Sequence, residues 1–200
     1  MKYKVLFTTI LLIALLATPI LITSCSSTPQ SGSPGYFLET LTKRDISFSF
    51  EYPDDYEKVD PNPYESAGSN IDIVGEIYHA TDDETKTSTQ LTIQLWNPTA
   101  DYPDAKARLD WYATNVYNVG ENPEINERSS LRVAGVDGEK LVYTYVLESD
   151  IEMPNQINCW VVGFDSKGQI WLISICTNIE APEEAKADFD YLISTFKFLD

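Results

Sequence analysis

One histidine, three cysteines and two methionines are all that 200 residues offer of the side chains that most often ligate a transition metal or attack a carbonyl. Any Ser-His-Asp or Cys-His arrangement would have to use His79, and no nucleophile-elbow sequence surrounds a serine. A structural zinc site needs closely spaced pairs of ligands, which one histidine and scattered cysteines do not supply. Gly-rich phosphate loops and the dinucleotide fingerprint are absent as well. Basic residues are scarce: 14 Lys and Arg stand against 31 Asp and Glu, a formal net charge of −17 at pH 7. A broad basic surface for nucleic acid or anionic lipid is therefore excluded. The acids gather in three loop groups, Asp54, Asp55 and Asp60; Asp82, Asp83 and Glu84; and Glu180, Glu183 and Glu184. None has the spacing of an EF-hand, so they read as solvated loops, and neither a metal nor a cofactor is expected.

Long hydrophobic runs are also missing, with one exception. Lys2 and Lys4 precede the apolar stretch from Val5 to Ile22, which together read as a secretory signal. The stretch ends in Ile22-Thr23-Ser24-Cys25. This resembles the lipobox of bacterial lipoproteins, although that pattern prefers Leu at the first position and Gly or Ala before the cysteine. The resemblance implies cleavage before Cys25, lipidation of Cys25, and a protein anchored on the extracytoplasmic side of a bacterial membrane. Val5 to Ile22 is long enough to span a bilayer, so an uncleaved helix is one alternative and ordinary secretion the other.

Residues 25–35 hold no charge and no large apolar side chain, and read as a flexible tether. The organisation expected is thus a signal peptide over residues 1–24, the tether, and one domain over residues 36–200, uninterrupted by repeats or low-complexity sequence. Within that domain lie Cys159 and Cys176, flanking a hairpin around Asp165-Ser166-Lys167-Gly168. With Lys167 and Gly168 as the turn the cysteines stand opposite one another. With Asp165 opening a type I turn and Gly168 as bulge they face opposite sides of the sheet, and the Asp and Gly positions fit this second register better. A disulfide and two buried thiols both remain open.

Alternation marks strands at Ile46–Glu51, Ile71–His79, Ser88–Trp96, Glu124–Val133, Lys140–Leu147, Asn158–Phe164 and Gln169–Thr177. Tyr52 to Gly68 reads as a loop, and Ala134 to Gly138 as a turn. Pro103 opens a helix whose buried stripe is Ala105, Leu109, Tyr112 and Val116, with Lys106 and Asp110 paired on the opposite side. Pro182, Glu183 and Glu184 start a second helix, lined inside by Ala185, Phe189, Ile193 and Phe196. In Lys140–Leu147, Leu141 and Tyr143 alternate with Val142 and Thr144, which asks for cover on both faces. Three strands, a helix, four strands and a helix with short connections predict an α+β domain, an antiparallel sheet with helices packed on it. Trp96, Trp111, Trp160 and Trp171 read as core. Tyr102, Tyr112 and Tyr117, on or beside the first helix, form a candidate recognition face.

A strand ending in Tyr52-Pro53, a long helix after the third strand, the Val133-to-Gly138 turn leading into an aromatic strand, and a last helix ending Ser194-Thr195-Phe196-Lys197 together resemble the PsbP-like family, over about residues 40–199. Members often carry Trp after the Tyr-Pro, where this chain has Asp54-Asp55-Tyr56. The resemblance implies an antiparallel sheet sandwiched between helices, and a tethered, non-catalytic accessory or assembly role with no universal catalytic residues. The function expected is a membrane-tethered extracytoplasmic module that binds a protein partner and no nucleic acid. Two alternatives remain: an anchored binder of a small apolar or aromatic ligand between sheet and helix, and a hydrolase using isolated carboxylates.

Overall fold

The computed structural model describes residues 30–59, 73–82, 87–115, 121–146, 156–178 and 182–200. Within them the chain runs β1 (Gln30–Ser31), β2 (Tyr36–Lys43), β3 (Ile46–Pro53), β4 (Glu57–Lys58), β5 (Ile73–Asp82), β6 (Thr87–Trp96), α1 (Ala105–Asn115), β7 (Glu121–Val133), β8 (Val136–Val146), β9 (Gln156–Ser166), β10 (Gln169–Thr177), α2 (Glu183–Thr195) and β11 (Lys197–Phe198). The signal segment, Cys25, Val116, Tyr117, Asp60, Asp83, Glu84, Leu147 and Glu180 lie outside the described residues.

Two antiparallel sheets form rather than one. The larger has the order β4-β5-β6-β10-β9-β8-β7 and the smaller β1-β2-β3-β11. Both faces of the larger sheet are covered, as the apolar faces of β8 require. Leu141 and Tyr143 pack with Ala105 and Leu109 of α1, whereas Val142 joins the cluster on the other face. The expectation of helices on both sides is met only in part. One face carries α1, but the other carries α2 together with the smaller sheet, whose Phe48, Phe50 and Tyr52 fill the same core as Phe189 and Trp171.

Strand β2 is absent from the sequence reading, and part of the segment read as tether is paired. Gln30 and Ser31 stand opposite Leu38 and Phe37, and the Ser33 N–H donates to Glu51 Oε2 at 3.1 Å. The small sheet closes at the other end of the chain, where Lys197 and Phe198 pair with Ser49 and Phe48.

Three tight two-residue turns set the hairpin registers. Arg44 and Asp45, Ala134 and Gly135, and Lys167 and Gly168 all have positive φ, the conformation whose twist matches that of the flanking strands. The turn read over Ala134 to Gly138 is therefore only Ala134-Gly135, and β8 begins at Val136. The third turn decides between the two cysteine registers. Asp165 does not open a type I turn; its Oδ1 instead accepts the Ala105 N–H at 3.0 Å, at the start of α1. Cys159 consequently pairs with Cys176, and the structure joins them by a disulfide across a Cα–Cα distance of 4.2 Å. A link spanning 17 residues is worth about 3 kcal/mol in the chain-entropy account.

Helix α1 is seated by its cap and by one glycine. Asp104, just outside the helix, accepts the Ala107 N–H on Oδ1 at 2.7 Å. Leu109 rests directly on Gly163 of β9, where an added Cβ would come within 3.0 Å of the leucine side chain. This contact holds the next turn of α1, and with it Arg108, against the end of β6.

Candidate functional site

Arg108, Trp111 and Tyr112 stand at i, i+3 and i+4 on α1 and so share one face of it. Arg108 is the unusual member, only 5% exposed. Its guanidinium carbon lies 3.5 Å from the centre of the Trp96 ring, 4.3 Å from Tyr102 and 4.9 Å from Trp111. Three ring faces thus surround one cation, each contributing up to about 2 kcal/mol when water is excluded. No carboxylate is among the groups acting on Arg108, and its buried Nε–H has no hydrogen-bond partner among the described residues. Such an orphan donor costs about 1–3 kcal/mol. Burial lowers the Arg108 pKa, and the tyrosines oppose that shift.

The loop between β6 and α1 brings Tyr102 to this cation. The Thr99 N–H donates to the Tyr102 carbonyl at 3.0 Å, and the Tyr102 N–H donates back to Thr99 Oγ1 at 3.1 Å. Arg44, in the turn of the small sheet, donates to Asn97 Oδ1 at 2.7 Å and ties the loop to the rest of the fold. Between loop, β6 and helix lies a cavity of about 230 Å³ lined by Trp96, Asn97, Thr99, Asp101, Tyr102, Arg108 and Ile170.

The sequence-derived recognition face maps here in part. Tyr102 packs edge-on to Trp111 with ring centres 6.3 Å apart. Tyr112 is half-buried, and its hydroxyl meets Gln94 Oε1 at 3.4 Å; Tyr117 is not among the described residues. Trp111 is a correction, because it is not core: it is 38% exposed, the large hydrophobic side chain most open to solvent among the described residues. Sequence reasoning missed Arg108. The available signal was the spacing Arg108-x-x-Trp111-Tyr112, which places the arginine on the face toward the sheet rather than with Lys106 and Asp110.

The profile of the family described as PsbP-like protein matches residues 9–198. The chain belongs to the PsbP-like family. Among the solved structures that share its fold at low identity are two bacterial proteins. Cyanobacterial PsbP (CyanoP) from Synechocystis sp. PCC 6803 is 14% identical with a TM-score of 0.56, covering 88% of this chain and 99% of its own. LpqN of Mycobacterium tuberculosis, described as involved in cell envelope biogenesis, is 10% identical with a TM-score of 0.51, covering 82% and 91%. No curated protein gives a significant match.

Elsewhere, two clusters of ionisable groups among the described residues line a cleft or lie buried between the sheets. A cleft of about 400 Å³ is lined by Asp55, Glu184 and Asp188 with Tyr56 and threonines. Tyr56 donates to Asp188 Oδ2 at 3.4 Å, and burial, then the Asp55 charge, raises the Asp188 pKa. No group of three or more His, Cys, Asp and Glu among the described residues is arranged to hold a metal. His79 sits half-buried in β5, opposite Glu57 and Gln90.

The second cluster lies where the small sheet meets β4 and β5. Glu39 is 7% and Glu76 2% exposed. Lys43 Nζ reaches Glu76 at 2.6 Å, and Lys58 Nζ lies 3.2 Å from Glu76 and 3.9 Å from Glu39. Tyr52 beside it is pushed up to about 12, chiefly by burial and then by Glu39. Two glutamates and two lysines balance in charge, so the cluster acts as an ionic clasp between sheets. Burial lifts the Glu39 pKa above its ordinary 4.5, with Lys58 opposing and Glu76 reinforcing the shift. Between the unfolded and the folded pKa of Glu39, the folded chain therefore holds a proton that the unfolded chain has released. Stability from this group is complete below the unfolded pKa and is lost as pH rises through the folded one. Glu39→Gln should therefore raise stability at pH 7 and reduce its fall as pH rises from about 4.5. Urea midpoints across that range measure it, and parallel curves for the two proteins would count against this assignment.

Proposed function

We propose that this protein is a membrane-tethered, extracytoplasmic binding module that works by contact with a protein partner rather than by catalysis. The observation that carries the reading is the open Trp111 beside Tyr102 and Arg108. Trp, Tyr and Arg are the side chains that dominate binding energy at interfaces, and here the fold has already ordered them. A helix face seated on a disulfide-linked sheet is a rigid platform, so little is lost in ordering it on contact. The Cys159–Cys176 disulfide suits an extracytoplasmic compartment. Lipidation of Cys25 would supply the tether. With pairing starting at Gln30, four residues separate anchor from fold, five Cα steps with a reach of at most about 18 Å. The module would then work close to the bilayer surface, which suits a partner that is itself in the membrane or bound to it.

The test is site-specific photo-cross-linking in native membranes. A cross-linking residue at Trp111 or Tyr102 should give one discrete adduct, and the same residue at the exposed Glu183 of α2 should give none. Equal yields at all three positions, or no adduct at Trp111, would remove the α1 face as the docking surface.

A further inference from the structure

We infer that the cavity beside Arg108 takes an α-carboxylate whose neighbouring nitrogen carries a hydrogen: a free amino acid or the C-terminal residue of a polypeptide. The inference rests on reading this end of α1 as a binding surface, and it supplies the chemistry that the surface recognises.

The hydrogen-bonding capacity left in the cavity is mostly donor. Arg108 lines the cavity and brings guanidinium donors to that wall, and its Nε–H, itself buried, has no partner among the described residues. Thr99 already accepts the Tyr102 N–H, so its own hydroxyl hydrogen is available to donate. Asn97 accepts from Arg44 on Oδ1, which leaves its amide nitrogen as donor. Donors around a desolvated cation call for an acceptor-only group, and a carboxylate matches the planar guanidinium. In a protein with a net charge of −17, no carboxylate among the described residues forms an ion pair with this buried cation.

Asp101 lines the same cavity and narrows the choice. A lone anion such as acetate would face its charge. An amino acid or chain end brings an ammonium or amide N–H one carbon away from the carboxylate, and so can satisfy Asp101 and Arg108 together. The Trp96 and Ile170 walls provide apolar cover for one side chain. At about 230 Å³ the space suits a single residue rather than a larger cofactor.

The test follows the Trp96 indole N–H by NMR in the detergent-solubilised full chain. It is titrated with leucine, phenylalanine, their N-acetyl derivatives, N-acetyl-leucine amide and acetate. A saturable shift with the acids in the millimolar range, at least tenfold weaker with the amide, is the expected result. If the free amino acids bind better than the acetylated ones, the source is a small metabolite; the reverse order points to a chain end. Arg108→Gln should weaken the acids at least tenfold. Asp101→Asn changes an exposed residue and so leaves the fold intact. It should weaken leucine and tighten acetate, a split that a merely structural effect would not produce.

Equal binding of acid and amide overturns the inference. So does no saturable binding of any acid below about 10 mM, or an Asp101→Asn effect of the same sign on leucine and acetate. Such a failure alongside a Trp111 cross-link leaves the docking face and removes only its carboxylate chemistry. Binding of leucine without any cross-link makes the cavity a small-molecule site instead.

Discussion

Phe189→Ala should lower the free energy of unfolding by about 3–5 kcal/mol, through lost burial and the cavity left behind. Phe189 is fully buried, and its helix is held by a stripe of Ala185, Phe189 and Leu192, continued by Phe196 just beyond the last turn. These residues meet Phe48 and Phe50 from the small sheet and Trp171 from the large one, so the cavity would open where three layers converge. Phe48 and Phe196 stack at 5.6 Å, and Trp171 stands edge-on to Phe196 at the same separation. Rings packed this closely cannot relax far into the space, which favours the upper half of the range. Domains of this size are stable by only about 5–15 kcal/mol, so the loss should be visible as a large shift in urea midpoint. Lys186→Ala on the exposed side of α2, which breaks only the pair with Asp190, should cost below about 1 kcal/mol. A Phe189→Ala loss as small as that of the control would mean that α2 does not hold the two sheets together.

Cys25→Ser should abolish fatty-acid labelling and move the protein out of the membrane fraction, or leave it as an uncleaved precursor. Acyl chains contribute about 0.8 kcal/mol per buried CH₂, and two chains on one cysteine would make a stable attachment. Among the described residues no helix is long and apolar enough to cross a membrane, so the domain offers no helical substitute. The surface also opposes adsorption, since its net negative charge is repelled by anionic lipid. Metabolic labelling with a radioactive fatty acid, followed by fractionation, separates the outcomes. Labelling that persists in the mutant would place the lipid elsewhere. Membrane retention without labelling in the wild-type chain would instead favour Val5 to Ile22 as an uncleaved helix.

Most strands that alternation identified have apolar inward positions, such as Leu91, Ile93 and Leu95 in β6 or Trp171, Ile173 and Ile175 in β10, and β5 is legible despite Glu76 because apolar residues surround it. Strand β2 escaped because its inward positions are Phe37, Glu39 and Leu41, and a glutamate in the middle breaks the pattern. Glu39 is tolerated there only because Lys58 and Lys43, brought in from β4 and β2, balance it together with Glu76. In α2, Leu192 rather than Ile193 is fully buried, in line with Ala185 and Phe189 at i, i+4 and i+7. Tyr102 and Tyr112 lie near a surface as their place on or beside α1 suggests, whereas Trp111, expected in the core as a tryptophan in a packed helix, is exposed instead. That residue is left open because the sheet surface beneath α1 is already occupied by Leu109 and Tyr112.

By itself the sequence determined the α+β class, the antiparallel pairing of neighbouring strands, the two helices and the lack of any nucleophilic motif. These follow from local periodicity, turn residues and composition, which act within a few residues of chain. Only the tertiary structure decided that β6 pairs with β10, that β3 and β11 close a second sheet, and that Lys167-Gly168 is the turn. The last depended on Asp165 being taken by the start of α1, a contact with a helix 60 residues away. Arg108 belongs to the same class. Its charge is plain in the sequence, but its burial comes from rings on β6, the following loop and α1 closing around it. A cation's environment is set by whatever the fold brings within about 5 Å of it, and periodicity along one helix carries no information about that.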